Sequence, residues 1–374
     1  MILYFSLLFF RSYAAAGVTL PQPAASPATD LQPPFNIAPP YLGADIATSV
    51  VLGPSLPVLW LHGDTLVGSM DSSGSRVFSS MPRNSIALRY SNGSVAHFIR
   101  PASVRNRAHV GFFTPPESPV QWYWPTCGVV VAGHLFVFSM RIAPGPPGLF
   151  PFVLVGTDVL ALGGVDALGA NPLDWPAPAV TAVPYMHENL TLGNALGTTG
   201  SDYVYMLGGC GDGGRAGFMT RLPLTSFPSW GGLEYFAGGA AAGGWEAMGP
   251  GVSPLQLFDS VPSEATLTYH PSLGVWVILR VNTFLGHAVT MLYAPQPEGP
   301  WLQMDVYAIP QEQLAGGVFC YAGKVHPELS DPSAREIVFT YMCNTPRVPE
   351  LLNRTDIYIP QVVRLAWGKL FTKK

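Results

Sequence analysis

The stretch SEATLTYHPSLGVWVILRV, residues 263–281, contains two runs of strand-forming residues around the short segment HPSLG. Both runs are rich in β-branched and aromatic residues, whereas Pro and Gly in the segment between them favour a turn. This order predicts a β-hairpin with antiparallel strands. The same pattern recurs in VVVAGHLFVF (129–138) and in IALRYSNGSVAHFI (86–99), where Asn-Gly marks the turn.

Strand-like runs recur along the whole chain at a spacing of about 70 residues, which is longer than the common propeller repeats. No window of the sequence combines helical periodicity with helix caps. Without the first 16 residues about 358 remain, which corresponds to five units of about 72. The sequence therefore predicts an all-β fold, a five-bladed β-propeller of four-stranded antiparallel blades. A β-sandwich with a second β domain is the alternative.

Composition narrows the range of functions. Of the 374 residues only 11% are charged, the net charge is −4, and 40 Gly and 38 Pro punctuate nearly every segment. The absence of a basic stripe argues against nucleic acid as a partner. No segment after the N-terminus has the length and apolarity of a membrane span, so none is expected.

The N-terminus has the features of an export signal. An apolar run, MILYFSLLFF, precedes Ala-Ala-Ala at 14–16, which predicts a signal peptide over 1–16, with a buried strand as the alternative. Residues 17–45 are rich in Pro and Ala and predict an extended lead-in. Residues 46–374 are then a single propeller domain. We expect a secreted, extracellular protein and a monomer.

Sequons and cysteines fit a secreted glycoprotein. Three Asn-x-Ser/Thr sequons predict glycosylation at Asn92, Asn189 and Asn353. The four cysteines lack C-x-x-C spacing and are expected as disulfides or buried thiols. Cys320 and Cys343 lie in two strand-like runs, equidistant from Asp331-Pro332 in the polar connection between them. This symmetry predicts a disulfide across a hairpin, with two free buried thiols as the alternative.

An ordered set of segments resembles a known family. WLHGDT (60–65), WPTCGVVVAGHLFVFSMRI (124–142), SEATLTYH (263–270) and YAGKVHPELS…IVFTYMCNT (321–345) follow in the order of secreted five-bladed glycoside-hydrolase propellers. These include the family 43 arabinanases and xylosidases, and a propeller family with endo-D-arabinanase members formerly catalogued as a domain of unknown function. The resemblance covers roughly residues 45–368. It implies a sugar-binding funnel at the propeller axis, with carboxylates on the innermost strands.

Glycosidic bond cleavage requires one carboxylic acid that protonates the leaving oxygen and one carboxylate that acts as nucleophile or base. The resemblance implies Asp64 as base or nucleophile and Glu264 as general acid. A turn cap and a strand-edge residue are the respective alternatives. For a third residue that tunes the acid the resemblance favours Asp202, with Asp212 and Asp259 as rivals.

Further residues are candidates for substrate binding. The resemblance places His326 at the funnel, whereas a lone His is otherwise a hydrogen-bonded structural residue. Glu328 lies two residues further on and would share its face in an extended segment. Arg83, Asn84 and Trp124 are expected to line the funnel, with turn residues and core packing as the alternatives.

No metal ligand and no cofactor are predicted. The sequence HPE has the H-x-E spacing of zinc deaminases, but no C-x-x-C follows it. An axial calcium or sodium ion occurs in some related propellers. The expected function is a secreted glycoside hydrolase acting on a furanoside-containing or related polysaccharide. A non-catalytic carbohydrate-binding propeller and a structural extracellular protein are the alternatives.

Overall fold

The fold is built almost entirely from antiparallel β-strands, as a computed structural model shows. The structure describes residues 18–100, 111–148, 151–185, 190–200, 202–210, 216–239, 241–259, 261–262, 264–281, 286–331 and 333–368. Within these residues the strands form six sheets, and all strand pairs are antiparallel. The predicted all-β class is confirmed.

The N-terminal part of the chain contributes eight strands: β1 (Ala24–Pro27), β2 (Tyr41–Ala44), β3 (Thr48–Val51), β4 (Val58–His62), β5 (Thr65–Met70), β6 (Arg76–Ser80), β7 (Ser85–Arg89) and β8 (Val95–Phe98). Strands β3, β4, β7 and β8 form sheet I in the order β3-β4-β7-β8. Strands β2, β5 and β6 form a separate three-stranded side sheet. The segment predicted as a lead-in therefore contributes two strands to the folded unit.

The next three sheets follow in chain order. Sheet II consists of β9 (Trp122–Val131), β10 (His134–Pro144), β11 (Phe152–Gly164) and β12 (Ala179–Ala182). Sheet III consists of β13 (Leu190–Gly197), β14 (Tyr203–Cys210), β15 (Ala216–Pro223), β16 (Glu234–Phe236) and β17 (Trp245–Ala247). Sheet IV consists of β18 (Thr266–His270), β19 (Val275–Val281), β20 (Ala288–Ala294) and β21 (Leu302–Ala308).

Sheet V joins the two ends of the described chain. It consists of β22 (Phe319–Val325), β23 (Glu336–Asn344) and β24 (Gln361–Ala366), with β1 paired to β24 at its outer edge. This pairing holds the N-terminal segment against the C-terminal strand, and Asp30 adds an ion pair to Arg364 at 2.9 Å.

Helices are short and lie in connections. Among the described residues the α-helices are α1 (Gln311–Leu314) and α2 (Val348–Asn353). The 3-10 turns span Pro33–Phe35, Val165–Ala167, Pro172–Asp174, Leu224–Ser226, Ala241–Gly244, Ala315–Gly317 and Pro327–Leu329. In the described part of the chain, no helix has the length and apolarity needed to cross a bilayer.

Five apolar clusters lie between consecutive sheets. Buried side chains of sheet I pack on sheet II, sheet II on III, III on IV, IV on V, and V on I. Representative pairs, in that order, are Leu59 and Val137, Phe138 and Val204, Met219 and Ile278, Val277 and Phe339, and Val338 and Trp60. Each such side chain contributes about 1.5–3 kcal/mol when it leaves water. The hydrophobic effect thus fixes the order of the sheets, and sheet V returns to sheet I.

The edge strands β3, β9, β13, β18 and β22 face one another. Neighbours in this series are in contact, from β3 and β9 to β18 and β22. Polar side chains link them: the Thr48 hydroxyl donates to the carbonyl of Thr126, at 2.9 Å. At the junction of sheets V and I, Ser49 Oγ lies 2.7 Å from the Nδ1 of His326. These five strands, which are far apart in the sequence, therefore lie next to one another in the fold.

The predicted disulfide is confirmed. Cys320 on β22 and Cys343 on β23 are directly paired in the sheet, and their sulfurs are bonded with 4.0 Å between the Cα atoms. Cys127 is a buried free thiol that donates to the carbonyl of Gly193, at 3.5 Å.

Two of the three sequons lie on the described surface. Asn92 is exposed in the turn between β7 and β8, and Asn353 is exposed at the end of α2. Asn189 and the predicted signal peptide lie outside the described residues.

Candidate active site

Three carboxylates from distant parts of the sequence share one site. Asp45 lies between β2 and β3, Asp64 between β4 and β5, and Glu264 immediately before Ala265 and β18. Burial raises the pKa of Asp45 well above its ordinary value, and the charges of Asp64 and Glu264 raise it further. Asp45 is therefore the carboxylate whose pKa depends on the charges of both others. Because like charges disfavour simultaneous ionisation, the site favours a retained proton near neutral pH.

Backbone angles, hydrogen bonds and close packing fix the conformation of the loop that carries Asp45. Ile46 and Ala47 both adopt left-handed backbone angles, with φ of 69° and 56°. The Asp45 amide donates to the Asp64 carbonyl at 3.2 Å, and the Gly63 amide donates to the Asp45 carbonyl at 3.1 Å. A methyl group on Gly63 would overlap Asp45 Oδ1, so only glycine lets the two loops approach this closely. The two aspartates are thereby locked together by backbone.

Asp64 is oriented by a cation and an indole. Arg83 Nη1 donates to Asp64 Oδ2 at 3.1 Å, and Trp124 Nε1 donates to Asp64 Oδ1 at 3.0 Å. Burial raises the pKa of Asp64, but Arg83 and Trp124 both act against this increase. The Arg83 guanidinium also lies over the ring of Trp122, 4.6 Å from its centroid. Asp64 is thus the carboxylate of the three that is most directly stabilised in its ionised form.

Two tyrosines complete the aspartate side of the site. Tyr321 on β22 donates its hydroxyl to Asp45 Oδ2 at 3.2 Å, and Tyr358 donates to the Asp64 carbonyl at 3.1 Å. The hydrogen bond from Tyr321 lowers the pKa of Asp45 against the larger effect of burial. The second oxygen, Asp45 Oδ1, is buried and has no hydrogen-bond partner among the described residues. It is an acceptor available for a ligand or a water molecule.

Glu264 has a different environment. No described residue donates a hydrogen bond to its carboxylate. Burial raises the pKa of Glu264 to about 7, and the nearby Lys324 ammonium limits the increase. A carboxyl group with this pKa is partly protonated at neutral pH and can donate a proton there.

The arrangement can support general acid catalysis beside a second carboxylate. Glu264 is the group most suited to proton donation. Tyr321 holds Asp45 through Oδ2, and Asp45 Oδ1 remains an acceptor without a partner among the described residues. Asp64 is engaged by Arg83 and Trp124, which favours an orienting role. Within the described residues no group of three or more His, Cys, Asp or Glu side chains is arranged to hold a metal ion.

Comparison with known proteins places the chain in a family. A family model described as "Domain of unknown function (DUF5005)" matches residues 35–367. The chain belongs to the DUF5005 family. A comparison with the sequences of curated proteins finds no match for the DUF5005 chain.

One solved structure shares the fold, and others are similar over most of this chain. A protein from Bacteroides ovatus, described as "a putative hydrolase", is 16% identical with a TM-score of 0.71, covering 91% of the DUF5005 chain and 90% of its own. A xylan β-1,4-xylosidase from Bacillus halodurans is 10% identical with a TM-score of 0.48, covering 90% of this chain and 55% of its own. A GH43_1 enzyme from Xanthomonas citri is 12% identical with a TM-score of 0.45, covering 92% of this chain and 90% of its own. Glycoside hydrolases are among the similar structures.

The structure brings together four of the predicted site residues, namely Asp64, Glu264, Arg83 and Trp124. Asp202 lies elsewhere: it is exposed just before β14, the second strand of sheet III, and its carbonyl accepts from the Leu224 amide at 2.9 Å. Its rival Asp259 is also exposed and accepts from Gln256 at 3.0 Å. Asp212 lies outside the described residues.

His326 is enclosed between sheets V and I. The side chain is fully buried, stacks on Trp60 at 4.4 Å, and uses both ring nitrogens, with Ser49 at 2.7 Å and Thr340 at 2.8 Å. Burial lowers the pKa of His326 to about 3, so the ring is neutral. These contacts are those of the hydrogen-bonded structural residue that the sequence left as the alternative. Glu328 approaches the same ring at 3.7 Å, and burial raises its pKa to about 7.

Asn84 supports the site from behind. Its side-chain nitrogen donates to the carbonyls of Phe113 and Tyr123, both at 2.9 Å, and its oxygen accepts from the Phe113 amide at 2.7 Å. The buried amide group thereby fixes the chain that follows Arg83, rather than lining an open surface.

Sequence reasoning missed Asp45, Tyr321, Tyr358 and Lys324. Asp45 lies at the end of the Pro- and Ala-rich segment, which the sequence predicts to precede the domain. One signal was available: Asp45 precedes the first strand of sheet I much as Glu264 precedes the first strand of sheet IV. The signal for Lys324 is its rarity, because the other three lysines all lie within the last six residues.

Proposed function

We propose that the protein is a secreted glycoside hydrolase acting on a furanoside-containing or related polysaccharide, with sheets I to V as the five blades of a β-propeller. Five apolar clusters between consecutive sheets, the last between V and I, support this number of blades. The disulfide between Cys320 and Cys343 supports an oxidising, extracellular location.

The observation that carries the proposal is the carboxylate group. Asp45, Asp64 and Glu264 come from two different sheet regions, yet the pKa of Asp45 is raised by the charges of both others. Burying three carboxylates together is costly for stability and has no structural benefit that apolar residues would not provide better. Strongly raised pKa values in such a group are typical of functional sites.

Each residue takes one role in the proposed reaction. Glu264 donates its proton to the leaving oxygen of the glycosidic bond. Asp45 acts in its ionised form, which the hydrogen bond from Tyr321 favours against the effect of burial, and uses its second oxygen, Oδ1, as nucleophile or as base for a water molecule. After the bond breaks, the proton has moved to the leaving group and Glu264 is ionised. This assignment gives Asp45 the role that the sequence resemblance implied for Asp64, because Asp64 is already engaged by Arg83.

Substrate positioning falls to the groups around Asp64. The Trp124 indole and the Arg83 guanidinium both contact Asp64, and Arg83 also lies over the buried ring of Trp122. Aromatic faces offer apolar area to sugar rings, and guanidinium groups donate to hydroxyl oxygens.

A release assay over a panel of furanoside and pyranoside polysaccharides tests the proposal. Asp45→Asn and Glu264→Gln should each lower kcat/KM by roughly 10²–10⁴-fold, the usual loss for a group that transfers a proton or bonds to the substrate. Asp64→Asn should lower it as well, since the ion pair with Arg83 is lost. Asp166→Asn and Glu312→Gln change exposed residues in the same way and serve as matched controls.

Asp202→Asn distinguishes the two site assignments. Asp202 is exposed beside Leu224, so full activity is expected from this variant. If the wild-type protein binds a polysaccharide without releasing sugar, and Asp45→Asn and Glu264→Gln bind it equally, the protein is a carbohydrate-binding propeller and the enzymatic proposal is wrong.

A further inference from the structure

Lys324 is unusual in both sequence and structure. It is the only lysine in the first 368 residues. Its side chain is fully buried and is among the largest side chains that have no contact with solvent. Enclosing an ammonium group costs several kcal/mol even after relaxation. Specific partners must therefore offset the cost of burying the Lys324 ammonium group, and the neighbouring residues supply them.

The ammonium group links several of the facing edge strands. From β22, Lys324 Nζ donates to the carbonyl of Thr126 on β9 at 2.8 Å and to the carbonyl of Ala265 at 3.0 Å. The Thr126 carbonyl also accepts from the Thr48 hydroxyl on β3. Lys324 therefore connects sheets I, II, IV and V at one point. It also fixes the backbone of the residue that follows Glu264.

These carbonyl oxygens are the type of ligand that an axial calcium or sodium ion would use. The ammonium occupies two of them, and no described group of carboxylates, histidines or cysteines is arranged to hold a metal there. The residues between the edge strands therefore do not fit a metal ion, because the chain supplies its own cation.

We propose that Lys324 is the resident cation of the carboxylate site, a positioning residue that holds Glu264 through the Ala265 carbonyl and offsets its negative charge. The inference rests on the proposed function for its catalytic meaning. The interaction between Lys324 and Glu264 is measurable whether or not the protein cleaves a sugar.

Two other titratable neighbours of Lys324 do not change their protonation state near neutral pH. On β9, burial raises the pKa of the Cys127 thiol to about 11, and next to β22 burial lowers the pKa of His326 to about 3. Burial lowers the pKa of Lys324 itself to about 8, and the charges of Cys127 and Glu264 act in the opposite direction. The charge of Glu264 in turn raises the pKa values of Asp45 and of the Tyr321 phenol. Between pH 5 and pH 9 Glu264 is thus the titrating group that affects the pKa of Lys324.

Lysine labelled with ¹³C at Cε gives a direct measurement, since the chain has four lysines and three of them lie in the last six residues. In the wild-type protein the Lys324 signal should titrate with a pKa of about 8. In Glu264→Gln the pKa of Lys324 should fall by about 1, because the negative charge that favours the ammonium form is removed. Glu312→Gln, at an exposed position, should leave it unchanged.

The reciprocal variant gives a second, independent reading. Lys324→Met keeps the length of the side chain and removes the charge, so the pKa of Glu264, followed with ¹³C-labelled glutamate, should rise above about 7. Where the wild type is active, the alkaline limb of its kcat/KM profile should move in the same direction. Millimolar calcium should leave the Lys324 signal and the Tm of the wild type unchanged.

Equal Lys324 pKa values in the wild type and Glu264→Gln would overturn the inference, as would a calcium-dependent rise in Tm. A wild type that releases no sugar, but whose Lys324 signal responds to Glu264→Gln, would refute the proposed function alone.

Discussion

Replacing Glu264 with Gln should stabilise the protein at alkaline pH and leave its stability at acid pH unchanged. In the folded state burial raises the pKa of Glu264 to about 7, whereas the ordinary value of 4.5 applies to the unfolded chain. Between these values the folded state binds more protons than the unfolded state. The free energy of unfolding of the wild type therefore falls as pH rises through this window. Glutamine carries no charge at any pH, so the variant does not lose this contribution.

The magnitude follows from the two pKa values. A difference of about 2.5 pKa corresponds to about 3.4 kcal/mol above pH 7, at about 1.36 kcal/mol for each pKa unit. Glu264 keeps some contact with solvent, which screens part of this energy, so we expect a gain of about 1–3 kcal/mol. Removing the Glu264 charge also relieves Asp45, which adds to the gain.

Urea unfolding at pH 4.5, 6 and 8.5 measures the effect, with Glu312→Gln as the control at an exposed site. The curves of wild type and Glu264→Gln should coincide at the lowest pH and separate progressively above it. A difference that does not vary with pH, or that appears equally in Glu312→Gln, would show that Glu264 is not buried in its charged form and would remove the argument for its role as an acid.

Two further predictions concern the geometry around the site. In Gly63→Ala the new methyl group overlaps Asp45 Oδ1, so kcat/KM should fall at least about tenfold with a loss of stability of only about 1–3 kcal/mol. Gly164→Ala should be neutral, because its methyl group meets only the Gly133 carbonyl oxygen at 3.9 Å and φ is −67°. An active Gly63→Ala enzyme would contradict the assignment of Asp45. Replacing both Cys320 and Cys343 with Ser opens a loop with a sequence separation of 23 and should cost about 3 kcal/mol in urea unfolding, whereas an unchanged midpoint would mean that the bridge does not form.

Local features of the fold were predictable from sequence. The hairpin expected in 263–281 is formed by β18 and β19, and the one expected in 86–99 is formed by β7 and β8 with Asn92-Gly93 in its turn. The disulfide was predictable for the same reason, since Cys320 and Cys343 belong to neighbouring strands of one sheet. In each case the pattern and the contact lie within about 25 residues of each other, where turn chemistry and strand alternation determine the pairing.

The candidate site was only partly predictable, because its contacts are long-range. Tyr321 reaches Asp45 across 276 positions, and Lys324 reaches Thr126 across 198. No local pattern specifies which side chains meet across such distances, since the packing of whole sheets decides it. Asp64, Glu264, Arg83 and Trp124 were identified through a resemblance to a family. Asp45 is not found in this way, because the Pro and Ala content of its segment predicts an extended lead-in.

His326 and Glu264 show why residue type alone could not decide the rest. Both were predicted at the funnel, and burial shifts the pKa of each towards its neutral form. The two side chains differ in their partners. Ser49 and Thr340 bond both nitrogens of the His326 ring and Trp60 stacks on it, whereas no described residue donates to the Glu264 carboxylate. A buried polar group whose hydrogen bonds are complete stabilises one arrangement of the chain, and one whose capacity is unfilled is available to a ligand. By this criterion the functional side of the junction lies with Asp45 and Glu264, and His326 belongs to the framework that holds sheets V and I together.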